Sequence, residues 1–342
     1  MIRQGMLGRL GFIAVVASIG ALLVTTGAQA STVTVGSVLP PGAEPTEFGS
    51  VQTFFNTALP EKGANLTSPV SGAIVRWRMQ NPVGGPFFLR VLRPNGSGGY
   101  MAAGTSNPVT PSGAGLQTFT ANLPVQAGDL IGVDPTNVTD KIDVAKVAGA
   151  SFGFIFPPPF DGATVAPSGS KAGEEIELSA EVQPTPAITS VAPDFGPVAG
   201  GTTVTITGTD LASASAVKFG DLPAASFKAE SETKITAVAP PSAKVEAVDV
   251  TATTIAGTSA TGKDDRFFYE GCVVPKLKGK KLKDAKRMLG RADCKVGKVT
   301  RRNTKPKKAG KVLSQGTKPG KVLASGSKVK LTVGKKPEAD SK

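Results

Sequence analysis

A lysine-rich segment, Cys272 to Val333, constrains the fold most strongly, because its apolar residues follow two different periods. Helical spacing, with one apolar face, is followed by Leu282, Ala285, Met288, Leu289 and Ala292. Three short apolar runs are typical of strands: Val296 with Val299, Val312 with Leu313, and the alternating Val329, Leu331 and Val333. The segment therefore predicts one helix packed on a small three-stranded sheet, with a turn at Lys318-Pro319-Gly320.

The charge of the chain is divided unevenly. From Gly271 to the end there are 23 Lys and Arg against 4 Asp and Glu, whereas residues 31–270 carry 14 against 22. The formal net charge of +13 thus combines an acidic body with a cationic end. We expect the cationic end to meet an anionic partner.

The chain has 2 cysteines, Cys272 and Cys294, and they bracket the predicted helix. In a secreted protein a disulfide is the first interpretation, and closing this loop would add roughly 3 kcal/mol of stability. A domain this small buries little core unaided, which favours the bridge. The alternative is a pair of reduced, buried thiols.

Residues 1–30 have the features of a secretory signal peptide. Arg3 and Arg9 precede an uncharged apolar run from Leu10 to Val24, and small residues end at Ala30. Cleavage is predicted between Ala30 and Ser31, and the alternative is an uncleaved anchor, although a spanning helix needs about 20 apolar residues. No later segment is apolar enough to span a membrane. We expect a mature protein that is secreted, extracellular or associated with the cell wall.

Residues 31–184 are rich in Gly and Pro and contain short alternating runs, which predicts a β-sandwich or jelly roll of unknown function. Trp77, the sole Trp, fits a core position better than a sugar-stacking platform. Asp129 and Asp134 are calcium candidates, but the other ligands at defined spacing are missing. Solvated loop carboxylates are the simpler interpretation of this pair.

A Pro-Thr-Pro linker at 184–186 opens a second unit. A Gly200-Gly201 turn precedes a half-buried strand containing Val204 and Ile206, and the unit ends at Phe267-Phe268-Tyr269. Further matching positions include Ile188, Val191, Pro193, Gly196, Pro197, Gly208, Leu211, Val217, Phe219 and Gly220. Residues 186–270 resemble an IPT/TIG domain, which implies an immunoglobulin-like sandwich that serves as a spacer or adhesion module.

The C-terminal segment also resembles a known family. The positions that carry the likeness are Val274-Pro275, Gly279, Leu282, Ala285, Leu289, Val299, Val312 to Gln315, Pro319-Gly320, Gly326, Val329, Leu331 and Val333. Residues 271–334 resemble a PASTA domain, which implies recognition of peptidoglycan outside bacterial cells, and 335–342 are expected to be a disordered tail. The nominated wall-ligand contacts are Ser314, Gln315 and Lys318.

This sequence departs from the PASTA pattern in three respects. Lys281 stands where a Ser or Thr helix cap is expected, and Asp293 replaces the usual Gly after the helix. There is a single copy, so avidity between repeats is not available and wall affinity should be weak.

The composition excludes several kinds of catalysis. The chain has no histidine, so Ser-His and Cys-His nucleophile pairs and imidazole metal sites are absent. The Ser-x-x-Lys tetrads at Ser168 and Ser325 lie in turns and have no Lys-Thr-Gly partner. Gly257 to Lys263 imitates a phosphate-binding loop but is followed by Asp264 instead of Ser or Thr.

Two acid pairs are candidate glycosidase carboxylates. Glu174-Glu175 and Asp264-Asp265 lack an apolar signature that would raise one pKa. We therefore predict no catalytic residues, no metal site, no cofactor and no enzymatic activity.

The expected function is that of a secreted, non-catalytic envelope protein that binds peptidoglycan or an anionic wall polymer through its basic PASTA-like domain. The alternative is an extracellular carbohydrate-binding or adhesion protein whose specificity lies in the N-terminal sandwich, with the basic tail as a charge anchor. Nucleic acid is disfavoured because residues 272–342 contain no Phe, Tyr or Trp for stacking, and Lys outnumbers Arg there.

Overall fold

The computed structural model describes residues 31–39, 43–47 and 49–336, and this part of the chain is built mainly of strands. The predicted mainly β fold class, with two sandwiches and a small α+β domain, is confirmed. The strands form three groups along the chain, within 33–184, 187–270 and 272–335, and each encloses its own apolar core. The predicted signal peptide, residues 1–30, lies outside the described residues.

The N-terminal group is a sandwich of two sheets. Its described strands are β1 (Val33–Gly36), β2 (Glu44–Glu47), β3 (Thr53–Ala58), β4 (Gly72–Gln80), β5 (Phe87–Pro94), β6 (Tyr100–Thr105), β7 (Leu116–Val125), β8 (Leu130–Pro135), β9 (Lys141–Ile155), β10 (Thr164–Val165), β11 (Gly169–Ile176) and β12 (Leu178–Pro184). One sheet has the order β1-β12-β4-β7, and the other has the order β10-β6-β5-β8-β3-β9-β11, with β2 also paired to β9.

Alternation along β4 explains how this sandwich is filled. Trp77 is fully buried, and the centre of its ring lies 4.8 Å from that of Phe119. It is therefore a core residue, as predicted, and its ring is not accessible for stacking on a sugar. The neighbouring Arg76 and Arg78 point to the other face and both pair with Glu181 of β12.

The second group is an Ig-like sandwich. Its described strands are β13 (Ala187–Ala192), β14 (Phe195–Pro197), β15 (Thr203–Thr209), β16 (Ala216–Phe219), β17 (Leu222–Pro223), β18 (Ser226–Ser231), β19 (Lys234–Val238), β20 (Ala247–Thr254), β21 (Gly257–Thr258) and β22 (Arg266–Glu270). One sheet has the order β13-β15-β19-β18, and the other has the order β14-β22-β20-β16-β17, with β21 on β20. Phe267 packs edge-on against Phe219 and Tyr269, and the Tyr269 hydroxyl donates to the Pro240 carbonyl at 2.9 Å.

The third group contains β23 (Cys272–Val273), α1 (Leu282–Arg291), β24 (Lys295–Asn303), a 3₁₀ turn (Pro306–Lys308), β25 (Val312–Gln315), β26 (Val322–Leu323) and β27 (Lys328–Lys335). The predicted helix and three-stranded sheet are present, with the order β24-β27-β25. The two-stranded sheet of β23 and β26 was not predicted. β27 extends one residue into the predicted tail, and 337–342 lie outside the described residues.

The joints between the three groups are short. Thr185 and Pro186 separate β12 from β13, and the Thr185 amide donates to the Ser71 carbonyl at 3.0 Å. Gly271 alone separates β22 from β23, and a Cβ atom there would lie 2.8 Å from the Leu323 carbonyl oxygen and 3.0 Å from the Val198 side chain. Glycine thus permits a close approach between the second and third groups.

No helix among the described residues has the length and apolar character to span a membrane.

Candidate functional site

The three-stranded sheet of the C-terminal group has one covered and one open face. Val329, Leu331 and Val333 of β27 are buried in the core with Ala285 and Leu289 of α1. Because side chains alternate along a strand, residues 328, 330 and 332 of β27 point to the opposite face, and Lys328 and Lys330 are exposed there. This open face is the part of the domain that carries polar side chains on all three strands.

Strand register places three hydroxyl groups in one row across the open face. Thr332 of β27 pairs with Thr300 of β24 on one side and with Ser314 of β25 on the other. Directly paired residues point to the same face of a sheet, so the three side chains are neighbours. Thr300 and Ser314 are exposed, and Thr332 is half-buried between them.

The nominated contacts Ser314, Gln315 and Lys318 do not share one surface. Ser314 lies on the open face, whereas Gln315 pairs with Leu331 and points inward. The Gln315 amide accepts a hydrogen bond from the Leu277 amide at 2.8 Å and donates to the carbonyls of Pro275 and Thr317 at 3.1 and 2.9 Å. Its polar atoms therefore hold three chain segments together, while Lys318 is exposed in the following turn.

Two of the three departures from the PASTA pattern lie at the ends of α1. Lys281 makes no side-chain cap to α1. Asp293 adopts φ of 52°, the left-handed conformation for which glycine is the usual residue after a helix. Its carboxylate accepts a hydrogen bond from Ser325 and its carbonyl accepts one from the Gly326 amide at 2.8 Å. These bonds fix Asp293 in a conformation that costs free energy for a residue with a Cβ atom.

The predicted disulfide between Cys272 and Cys294 is confirmed. Both cysteines are buried in the core beneath the helix. The bridge connects β23 to the residue that precedes β24, so it links the two sheets of the domain.

The interpretation of Asp129 and Asp134 as solvated loop carboxylates was wrong. Both are buried, and each is held by an arginine of β5. Arg93 donates to both oxygens of Asp129 at 2.8 Å, and Arg90 donates to Asp134 at 2.5 and 2.8 Å. Burial raises the pKa of the Asp134 carboxyl, and the Arg90 guanidinium opposes that rise. Among the described residues no group of three or more acidic or cysteine side chains is arranged to hold a metal ion.

The expectation that Glu174-Glu175 lacks an environment able to raise a pKa was also wrong. Glu175 is fully buried, and burial raises its pKa to about 7 despite a 2.5 Å hydrogen bond from Ser37. Glu177 is equally buried, and burial together with the nearby Asp143 and Glu175 raises its pKa to about 7. Glu174 is half-buried and instead forms an ion pair with the exposed Lys171 at 2.8 Å.

The second acid pair divides in the same way. Asp265 is buried, and burial raises its pKa, although the Gly262 amide donates to its carboxylate at 2.9 Å. Asp264 is exposed and lies 3.7 Å from Lys263. In both pairs one acid is buried and its neighbour is more exposed, a difference that was not visible as an apolar signature in the sequence.

The remaining motifs lie in strands and turns. Ser168 accepts a hydrogen bond from the Phe156 amide at 2.9 Å just before β11, and Ser325 is bonded to Asp293. Gly257 begins the two-residue strand β21, and the residues after Lys263 lead into β22. The catalytic versions of these motifs begin a helix.

Sequence reasoning missed Thr300, Thr332, Lys328 and Lys330. The signal was available in part, because the polar positions of 328–332 alternate with the apolar ones that were used to predict β27. The alignment of Thr332 with Thr300 could not be predicted from the sequence. It depends on a register shift between Val296 and Val299, which no local pattern specifies.

Comparisons with known proteins identify the second and third groups. The IPT/TIG domain model matches residues 186–269, and the PASTA domain model matches residues 273–335. No curated protein matches the chain. A solved structure of the full extracellular region of plexin A4 is 18% identical over 59% of this chain and 17% of that one, with a TM-score of 0.26.

These two domains fit a protein that is extracellular or associated with the cell wall, and neither is a catalytic domain. The resemblances seen in the sequence are confirmed: the chain carries an IPT/TIG domain followed by a C-terminal PASTA domain.

Proposed function

We propose that this chain is a secreted, non-catalytic protein that docks on the bacterial cell wall through its PASTA domain. The observation that carries the proposal is the charge of that domain. Asp284 and Asp293 are the acidic residues between 271 and 336, so most of the Lys and Arg there have no internal counter-ion. A surface of this kind attracts polyanions, which are abundant in a bacterial wall.

The roles of the other parts follow from their connections. The single-residue joint at Gly271 and the two-residue joint at Thr185-Pro186 leave little freedom between neighbouring domains. We infer that the IPT/TIG domain spaces the N-terminal sandwich from the wall. Secretion rests on residues 1–30, with cleavage between Ala30 and Ser31, and N-terminal sequencing of exported protein tests it.

Wall binding is tested with mature protein 31–342 on purified peptidoglycan, with and without its anionic polymers, at about 50 and 500 mM salt. Binding to a polyanion should fall steeply over this range, whereas recognition of the peptidoglycan peptide should fall less. Retention on the stripped wall at high salt would identify peptidoglycan as the ligand. No retention on either material at low salt would refute the proposal.

A second candidate function is carbohydrate binding by the N-terminal sandwich, with the basic domain as an anchor. Trp77 does not support it, but the loop after β9 exposes Phe156 and Phe160, the latter with 80% of its surface accessible. Pro158 of the same loop lines a cavity of about 330 Å³ above Arg90 and Asp134. Loss of glycan binding in F156A/F160A, with wall binding retained, would favour this candidate.

A further inference from the structure

The open face of the PASTA sheet has a second row beside the hydroxyl row of Thr300, Thr332 and Ser314. Its centre is Lys330, two residues from Thr332 on β27 and therefore roughly 6.5 Å away on the same face. Directly after β25 the neighbour of Lys330 is Gly316, whose amide donates to the Lys330 carbonyl at 2.8 Å. A Cβ atom at Gly316 would lie 3.1 Å from the Lys330 Cβ.

The β24 side of Lys330 also contains a glycine. The register shift on β24 places Gly297 and Lys298 opposite Lys330, and a Cβ atom at Gly297 would lie 3.1 Å from the Lys330 backbone nitrogen. Lys330 therefore has a glycine beside it on each side, together with the exposed Lys298. The three hydroxyl groups lie in the next row.

A third row adds charge that the fold does not compensate. Lys328 pairs directly with Lys295 of β24, and the neighbouring positions Val329 and Val296 are in the core, so both lysines point to the open face. Like charges placed directly opposite each other destabilise a sheet. The three strands contain no Asp or Glu to offset that cost.

We propose that this hydroxyl–lysine face binds the phosphate groups of an extended wall polyanion. The face is defined by Thr300, Thr332, Ser314, Lys330, Lys328 and Lys295. The proposal deepens the function proposed above and depends on it, because it assigns wall binding to one surface and one ligand chemistry.

Phosphate suits this face better than the alternatives. Lysine is a common phosphate binder because its ammonium ion acts as a point charge, and hydroxyl groups can donate to tetrahedral oxygens from several directions. No Phe, Tyr or Trp occurs in residues 272–342, so the domain offers no aromatic surface on which a sugar ring can stack. Rows spaced along β27 suit a ligand with repeated charges rather than a single one.

The test uses mature protein 31–342 and soluble poly(glycerol phosphate) as the probe, with poly-glutamate as a carboxylate polymer of similar charge. K328Q/K330Q removes two charges from the face, and the matched control K283Q/K286Q removes two from exposed positions of α1. T300V/S314A/T332V removes the hydroxyl groups without changing the charge. Unchanged melting temperatures show that each variant is folded.

We expect K328Q/K330Q to weaken poly(glycerol phosphate) binding roughly tenfold and to lower the salt slope by about two, while K283Q/K286Q changes both much less. The hydroxyl variant should also weaken binding at least tenfold, because its side chains no longer donate hydrogen bonds to the charged phosphate oxygens.

Three results would overturn the proposal while leaving wall binding intact: equal losses in the two lysine pairs, no loss in the hydroxyl variant, or equal binding of poly-glutamate. Failure of unmodified protein to bind wall material at all would instead refute the function on which the proposal rests.

Discussion

The backbone nitrogen of Ser31 lies 3.1 Å from Oε1 of Glu232 on the IPT/TIG domain, and the Ser31 hydroxyl donates to Asp210 at 2.6 Å. Two acidic groups, Glu232 and Asp210, therefore face the start of the sandwich domain. Burial and the nearby Asp210 raise the pKa of Glu232. Cleavage after Ala30, as proposed, would convert the Ser31 amide into an ammonium ion. That ion would pair with Glu232.

The first prediction concerns this new N-terminus. Protein 31–342 with a free amino group should be more stable to denaturant than the same protein acetylated at Ser31, by up to about 1 kcal/mol, because a partly exposed ion pair is lost. Denaturation curves at low salt measure the difference. E232Q is the control and should abolish it, and an equal effect of acetylation in E232Q would contradict the assignment.

The second prediction is a pH dependence of the N-terminal sandwich. The pKa values of Glu175 and Glu177 rise from 4.5 to about 7 on folding, so the folded state holds protons that the unfolded state releases. Their stabilising contribution is complete below about pH 4.5 and is lost as pH rises to about 7, by at most about 1.4 kcal/mol per pH unit for each group.

Unfolding monitored by Trp77 fluorescence, which reports this domain, should therefore show stability falling between these pH values and levelling above. E177Q should reduce the slope of the unfolding free energy against pH, because one of the two titrating carboxyls is removed. Stability that rises with pH over this interval, or a slope unchanged in E177Q, would show that these carboxyls do not control it.

The third prediction concerns the disulfide. Reduction, or C272S/C294S, should destabilise the PASTA domain by roughly 3 kcal/mol, because the unfolded chain regains the freedom of the closed loop. Calorimetry with and without reductant measures the loss. The sandwich domain, which has no cysteine, serves as the internal reference and should melt unchanged.

The fourth prediction separates the two acidic partners of Arg90. D134A should cost roughly 3 to 5 kcal/mol, because it leaves the buried guanidinium without its main counter-ion. Asp161 is 54% exposed, and D161A should cost no more than about 1 kcal/mol. Added calcium should not shift the melting temperature of the unmodified protein or of either variant. A calcium-dependent rise in the unmodified protein would restore the interpretation of Asp129 and Asp134 as calcium ligands.

The fifth prediction distinguishes Gln315 from its neighbour. Q315A removes three hydrogen bonds that join segments of the PASTA domain and should lower its stability by roughly 2 to 4 kcal/mol. S314A should leave stability within about 0.5 kcal/mol, because Ser314 is exposed. Thermal unfolding of both variants measures this, and equal destabilisation would place Ser314 in the core network as well.

The sequence alone determined the elements whose signal is local. Alternation of Val329, Leu331 and Val333 predicted β27, and helical spacing from Leu282 predicted α1. The pairing of Cys272 with Cys294 followed because there was no other cysteine to choose. Both domain families were readable because their glycines, prolines and apolar residues occupy fixed places along the chain.

Tertiary structure decided which side chains meet across long separations and which are removed from water. Asp134 is separated from Arg90 by 44 residues, and Glu175 from Ser37 by 138, so neither partner was visible in a local pattern. The row of Thr300, Thr332 and Ser314 depends on register shifts in β24 and β25. Register and burial are properties of the packed sheets, since a shift of one residue exchanges the faces of a strand and with them the solvation of every charge.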